Sequence, residues 1–257
     1  MMKKMVTMIS SSFVLGSSLY GVEIQSPEDA VNIAGKQRMY TQRMLKDYAM
    51  VGMGNTFGDP GTDLKQTMEA FSDHLASLKG YAKTEETKKS LVVVETLWKP
   101  LKKELEEAPS PEKAEKLQED LEKLLKASDD ATKLFAKESG KVSGEMVNIA
   151  GRQRMLSQRM ASLYMLKVWG VKDPKFKTKL DNTLTLFKTS LGKLETSPLN
   201  NEESKALLSK VKRSFMFFEM MNRSKSKFVP TLIYKKSNDI LNNMNTVTQI
   251  YVKSDVK

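Results

Sequence analysis

The chain has 257 residues, 40% hydrophobic and 28% charged, which is enough for one large or two ordinary domains with a buried core. It has no cysteine and one histidine, His74, which excludes disulfides, thiolate chemistry and most histidine-based metal sites. Residues 1–145 carry 21 basic and 23 acidic side chains, whereas residues 146–257 carry 21 and 8, so the net charge of +11 comes from the second part.

The N-terminus has the pattern of a secretory signal peptide. Lys3 and Lys4 precede an apolar, uncharged stretch that ends among small residues at Gly21. We therefore expect residues 1–21 to be a signal peptide and the mature protein to lie in the periplasm, with a retained membrane anchor as the alternative. Export argues against nucleic acid as the partner of the basic half, which leaves an anionic membrane surface, small anions or an acidic protein.

Two repeats of four helices each are predicted. Ser26 and Pro27, followed by two acidic residues, are typical of a helix start, and no segment alternates convincingly as a strand would. We expect helices, in chain order, at about 27–51, 60–82, 84–107, from 110 onward, 144–169, 174–196, 201–226 and 230–253. Short connections favour antiparallel neighbours. The predicted fold is therefore all-α, with two tandem up-and-down four-helix bundles.

The strongest evidence for duplication is one segment that occurs twice. VNIAGKQRMYTQRM, residues 31–44, and VNIAGRQRMLSQRM, residues 147–160, are identical at 11 of 14 positions. The repeats also align at Leu91 with Leu208, at Trp98 with Phe215 and, weakly, over residues 128–134 with 237–243. We therefore divide the chain into a signal peptide at 1–21, a first module at 22–140 and a second at 141–257.

The repeated segment places one arginine among small residues on a single helix face. At about 100° per residue, Ala34, Gly35 and Gln42 lie on the same side as Arg38, away from the bulky apolar residues. Small residues would let another backbone approach and would desolvate the guanidinium, which would then need an anion or several acceptors. The second repeat presents Gly151, Arg154 and Gln158 in the same way. A structural salt bridge and a solvated arginine are the alternatives.

The segment NIAGRQRMLSQRM strongly resembles the P-box of the NarX/NarQ nitrate sensors and the N-terminal domain of PilJ-type methyl-accepting chemotaxis transducers. The resemblance implies a periplasmic helical bundle in which two P-box helices meet and hold one nitrate between paired arginines. By position, it implies Arg38 and Arg154 as the first motif arginine, after Gly35 and Gly151. Arg43 and Arg159 match the second motif arginine. This sequence carries two copies and no cytoplasmic transmitter, unlike the nitrate sensors.

Together these observations predict an exported sensory protein that binds a small oxyanion such as nitrate or nitrite and signals through a separate membrane receptor or periplasmic protein. The predicted ligand-binding residues are Gly35, Arg38, Gln42, Arg43, Gly151, Arg154, Gln158 and Arg159. We expect no enzyme activity, cofactor, metal or nucleic-acid partner, and we expect His74 to be solvated or to cap a helix. The two arginines could meet within one chain or across a homodimer. The alternative function is a protein–protein interaction module without a small ligand.

Overall fold

The computed structural model describes residues 22–140, 142–223 and 229–254, which form eight α-helices. In chain order these are α1 (Pro27–Gly52), α2 (Pro60–Tyr81), α3 (Glu85–Glu106), α4 (Pro111–Ser139), α5 (Val142–Trp169), α6 (Phe176–Glu195), α7 (Glu202–Arg223) and α8 (Pro230–Lys253). The predicted signal peptide and the predicted end of the seventh helix near residue 226 lie outside the described residues. In the described part of the chain, every helix is too short or too polar to cross a bilayer.

Local sequence determines where the helices of the first bundle begin. The side chains of Ser26, Thr84 and Ser110 each accept a hydrogen bond from a backbone N–H in the first turn of the helix that follows. Pro27 and Pro111 occupy the first turn, where a missing N–H costs nothing. These signals explain why the predicted helix starts agree closely with the observed ones.

The helices form two consecutive four-helix bundles, and the all-α prediction is confirmed. In the first, α1 packs against α2 and α4, while α3 packs mainly on α4. In the second, α5 packs against α6 and α8, while α7 packs mainly on α8. Each bundle contains an aromatic pair at equivalent positions: Phe71 lies 4.4 Å from Trp98 and Phe187 lies 4.4 Å from Phe215, measured between ring centroids. The predicted alignment of Trp98 with Phe215 therefore holds in three dimensions.

Helices α1 and α5 join the two bundles, with more extensive packing than any other helix pair. They run parallel, because equivalent positions meet in the same order: Gly35 approaches Gly151 near their starts, and Gly52 approaches Trp169 near their ends. A Cβ on Gly52 would stand 2.1 Å from the Trp169 ring, so glycine is required there. The central position of α1 explains why most of its residues are buried on every side.

The environment of His74 differs from the sequence expectation. The side chain is buried, and its ring lies 5.4 Å from that of Tyr40, between α2 and α1. Burial, with smaller effects from the charges of Lys36 and Arg154, lowers the pKa of His74 to about 4. The residue is therefore a neutral core histidine rather than a solvated or capping one.

Candidate functional site

The two motif arginines meet where α1 crosses α5. A Cβ built on Gly35 would lie 3.3 Å from Arg38 Nη2 and 3.4 Å from Arg154 Nη2. A Cβ built on Gly151 would lie 3.1 Å from Arg154 Nη2 and 3.3 Å from Arg38 Nη2. Both guanidiniums therefore occupy the space that the two glycines leave open. The structure brings all four of these predicted site residues together within one chain.

Arg38 is fully buried and has a carboxylate partner. Its Nη1 donates to Asp129 Oδ1 on α4 at 2.6 Å, and its Nη2 donates to the carbonyl oxygen of Asn148 on α5 at 3.1 Å. Burial alone would raise the pKa of Asp129, but the charges and hydrogen bonds of Arg38 and Lys133 outweigh burial and lower it. Asp129 is therefore ionised at neutral pH and balances the charge of Arg38.

Arg154 is equally buried, but its hydrogen-bond acceptors are all neutral. Its Nη1 donates to the Oδ1 atoms of Asn32 and Asn245 at 2.9 and 3.2 Å, and its Nη2 donates to the carbonyl oxygen of Asn32 at 3.2 Å. Burial, followed by the charge of Arg38, lowers the pKa of Arg154 to about 9. The guanidinium thus keeps its charge at neutral pH, and none of its hydrogen-bond partners among the described residues is a carboxylate.

The contacts also fix how the two repeats correspond. Arg38 and Asp129 are separated by 91 residues, and so are Arg154 and Asn245. Asn245 is therefore the counterpart of Asp129, and the weak alignment of residues 128–134 with 237–243 was wrong. That alignment was based on residue identities alone. The structural equivalence is given by which residue of α4 or α8 contacts the motif arginine.

Several polar atoms around the arginine pair are buried without a hydrogen-bond partner. They are Arg38 Nε, Arg154 Nε, Asn32 Nδ2 and Asn148 Oδ1. Three of these are N–H donors, and buried donors without acceptors are costly. The arginine pair therefore includes buried N–H donors that the described residues leave without an acceptor.

The predicted residues Gln42 and Gln158 lie in a second polar layer farther along the interface between α1 and α5, which we call the seam. Gln42 Oε1 accepts from Ser162 at 3.2 Å, and Gln158 Oε1 accepts from Lys46 Nζ at 2.9 Å. Lys46 is fully buried and also donates to Asn238 Oδ1 at 3.2 Å. The two glutamines therefore make hydrogen bonds across α1 and α5 rather than to the arginine pair.

The second motif arginines are also away from the arginine pair. Arg43 forms a hydrogen-bonded ion pair with Asp63 at the start of α2. Arg159 Nη1 donates to Glu122 Oε2 on α4 at 2.8 Å, which links the second bundle to the first. Both arginines are partly exposed, and their carboxylate partners satisfy them, so their observed contacts are those of structural ion pairs.

A buried carboxyl group adjoins Lys46. The Asp47 carboxylate lies 3.4 Å from Lys46 Nζ and 3.9 Å from Arg43 Nε and is fully buried. Burial, opposed by the charge of Lys46, raises the pKa of Asp47 to about 7. Part of the seam therefore titrates near neutral pH. Among the described residues, no three His, Asp or Glu side chains are grouped so that they could hold a metal ion.

Sequence reasoning missed four residues that contact or adjoin the arginines, namely Asn32, Asn148, Asp129 and Asn245. The two motif asparagines belong to the repeated segment, so repetition was an available signal for them. Sequence repetition did not point to Asp129 and Asn245, because α4 and α8 share too few identical residues to be aligned from the sequence.

Comparison with known families agrees with this duplicated architecture. The sequence model described as Type IV pili methyl-accepting chemotaxis transducer N-term matches residues 25–124 and 136–214. The chain belongs to this family. The two matched segments fall on the two bundles, as expected for two tandem copies. No curated protein and no solved structure matches the chain.

Proposed function

We propose that this PilJ-type sensory module binds a small oxyanion such as nitrate or nitrite between Arg38 and Arg154 and has no enzymatic activity. The observation that carries the proposal is the buried pair of guanidiniums, whose hydrogen-bond partners in the described part of the chain include a single carboxylate, that of Asp129. A buried charge without a counter-ion is strongly unfavourable, and a bound anion would remove that cost. The planar guanidinium fork matches a planar oxyanion.

The close approach of Gly35 and Gly151 supports a small, flat ligand. The guanidiniums already fill the space that the glycines leave, so a ligand there has to be small and has to displace part of their present contacts. Binding would exchange some of the bonds to the Asn32 and Asn148 carbonyls for bonds to the ligand. Because those carbonyls belong to opposite helices, ligand binding would alter the contact between α1 and α5. We propose this change as the signal, passed to a separate receptor in the periplasm.

Thermal unfolding with and without nitrate or nitrite tests the proposal. A ligand present at about a hundred times its dissociation constant adds about 2.7 kcal/mol to the free energy of unfolding. We expect Arg38→Ala and Arg154→Ala to lose this stabilisation and the exposed Arg213→Ala to keep it. If both seam variants respond to the anions as the wild type does, the shared site is refuted. If the wild type shows no response, the seam is a purely structural interface, which is the competing interpretation.

A further inference from the structure

The two halves of the arginine site differ in charge. Arg38 faces Asp129 from α4, whereas Arg154 faces Asn245 at the equivalent position of α8. The other acceptors of both guanidiniums are neutral carbonyl or amide oxygens. Among the described hydrogen-bond partners, the two buried positive charges are therefore opposed by one carboxylate, that of Asp129, whose side chain is 23% exposed, which leaves one positive charge to be balanced.

We infer that the site selects monovalent over divalent anions, and that the Asp129–Asn245 difference sets this selectivity. This inference rests on the proposed oxyanion site. A monovalent anion neutralises the buried centre, whereas a divalent anion such as sulfate would leave one uncompensated negative charge there. Uncompensated charge is expensive where water is excluded. The Asp129 carboxylate thus neutralises one of the two guanidinium charges and leaves the other for the ligand.

Other basic side chains near the site do not remove this balance. Lys133 Nζ lies 2.6 Å from Asp129 Oδ2, and Arg152 Nη2 lies 3.7 Å from Asp129 Oδ1. The Lys133 side chain is 54% exposed, and those of Arg152 and Asp129 are 27% and 23% exposed, so water and salt screen Lys133 most and the other two charges in part. Arg38 and Arg154 are buried, and their charges are screened far less. The buried charges should therefore dominate the preference between anions.

The geometry also suggests which part of the site receives the ligand. Arg38 already has a short bond to Asp129, and Arg154 has none to a carboxylate. The unpaired Asn32 Nδ2 lies on the residue whose oxygens accept from Arg154. We therefore expect the anion to bind mainly through Arg154 and Asn32, with Arg38 completing the far side.

Exchange of the two α4 and α8 residues provides the test, using isothermal titration calorimetry of the full chain with sodium nitrate, nitrite and sulfate. We expect the wild type to bind nitrate or nitrite at least about tenfold more tightly than sulfate. Asn245→Asp supplies the second carboxylate and should weaken binding of the monovalent anion by at least about tenfold. Asp129→Asn frees Arg38 and should bring sulfate to within about tenfold of nitrate.

The double variant Asp129→Asn/Asn245→Asp is the decisive control. It moves the carboxylate to the other arginine and restores a single uncompensated charge, so the preference for the monovalent anion should return. A merely structural role for either residue predicts no such rescue. If Asn245→Asp does not fold, an unchanged anion preference in Asp129→Asn by itself overturns the inference.

The outcomes separate the two claims. A wild type that binds none of the three anions refutes the proposed function and the inference with it. A wild type that binds nitrate and sulfate equally, or an Asn245→Asp variant that binds nitrate like the wild type, would leave the oxyanion site in place. Those results would overturn the charge selectivity alone.

Discussion

Replacement of Gly151 by alanine places a methyl group where the two guanidiniums meet. The new Cβ would stand 3.1 Å from Arg154 Nη2 and 3.3 Å from Arg38 Nη2, tighter than ordinary van der Waals contact. Both guanidiniums are held by hydrogen bonds of 2.6 to 3.2 Å and are buried. They can move aside by a few tenths of an ångström only if those bonds weaken.

Two opposing effects determine the magnitude. Alanine in a helix interior is favoured over glycine by about 1 kcal/mol. A hydrogen bond to a charged group contributes about 1.5–3 kcal/mol, so partial weakening of the Arg154 bonds costs about 2 kcal/mol. We therefore expect Gly151→Ala to lower the free energy of unfolding by about 1 kcal/mol, the difference between these effects. Anion affinity should fall at the same time, because the arginine ends are displaced.

Gly192→Ala is the matched control. Gly192 lies within α6, and a Cβ there would meet nothing within 4 Å, so only the propensity effect remains. We expect this variant to gain about 1 kcal/mol, which makes the difference between the two variants about 2 kcal/mol. Urea unfolding followed by circular dichroism measures both. If Gly151→Ala is stabilised as much as Gly192→Ala, the guanidiniums do not occupy the space beside Gly151.

Further predictions concern the second polar layer. Because the pKa of Asp47 is raised from 3.8 to about 7, its contribution to the free energy of unfolding is lost as pH rises through that range. The free energy of unfolding should therefore fall by up to about 1.4 kcal/mol per pH unit between pH 5 and 7, as measured by urea unfolding. Asp47→Asn should remove this pH dependence, whereas the surface variant Asp130→Asn should keep it. If Asp47→Asn leaves the pH dependence of the free energy of unfolding unchanged, Asp47 is not the group with the raised pKa. Lys46→Met removes the charged neighbour of Asp47 and should lower the free energy of unfolding by about 3 kcal/mol at pH 8. The loss should be smaller at pH 5, where Asp47 holds its proton, and an equal loss at both pH values would argue against coupling between Lys46 and Asp47. Glu122→Gln breaks the partly exposed pair with Arg159 and should cost about 1 kcal/mol, a loss that shrinks in 1 M salt; a salt-independent loss would contradict the ion pair.

Much of the fold could be predicted from local signals. Ser26 and Ser110, each followed by proline, determine helix starts through backbone hydrogen bonds that need no tertiary context. The repeated segment predicted that Arg38 and Arg154 share their helix faces with glycine, and a face of this kind is suited to close helix packing. The family model matches both copies.

The rest depended on which helices pack together. Nothing in the sequence required α1 to pair with α5 of the same chain rather than with α1 of a second copy. The contact between Lys46 and Gln158 gives a physical reason for the observed pairing, because the counterpart of Lys46 in the second repeat is Ser162. Pairing α1 with itself would bring two buried lysines together. The role of Asp129 was equally hidden, since it depends on the register of α4 against α1.

The central claim is that Arg38 and Arg154 hold one anion within a single chain. Nitrate titration by calorimetry, with the protein mass measured in the same buffer by sedimentation, tests this claim most directly. We expect one nitrate per chain on a monomer, with binding abolished in Arg154→Gln. A stoichiometry of one nitrate per two chains, or nitrate binding that survives in Arg154→Gln, would contradict it.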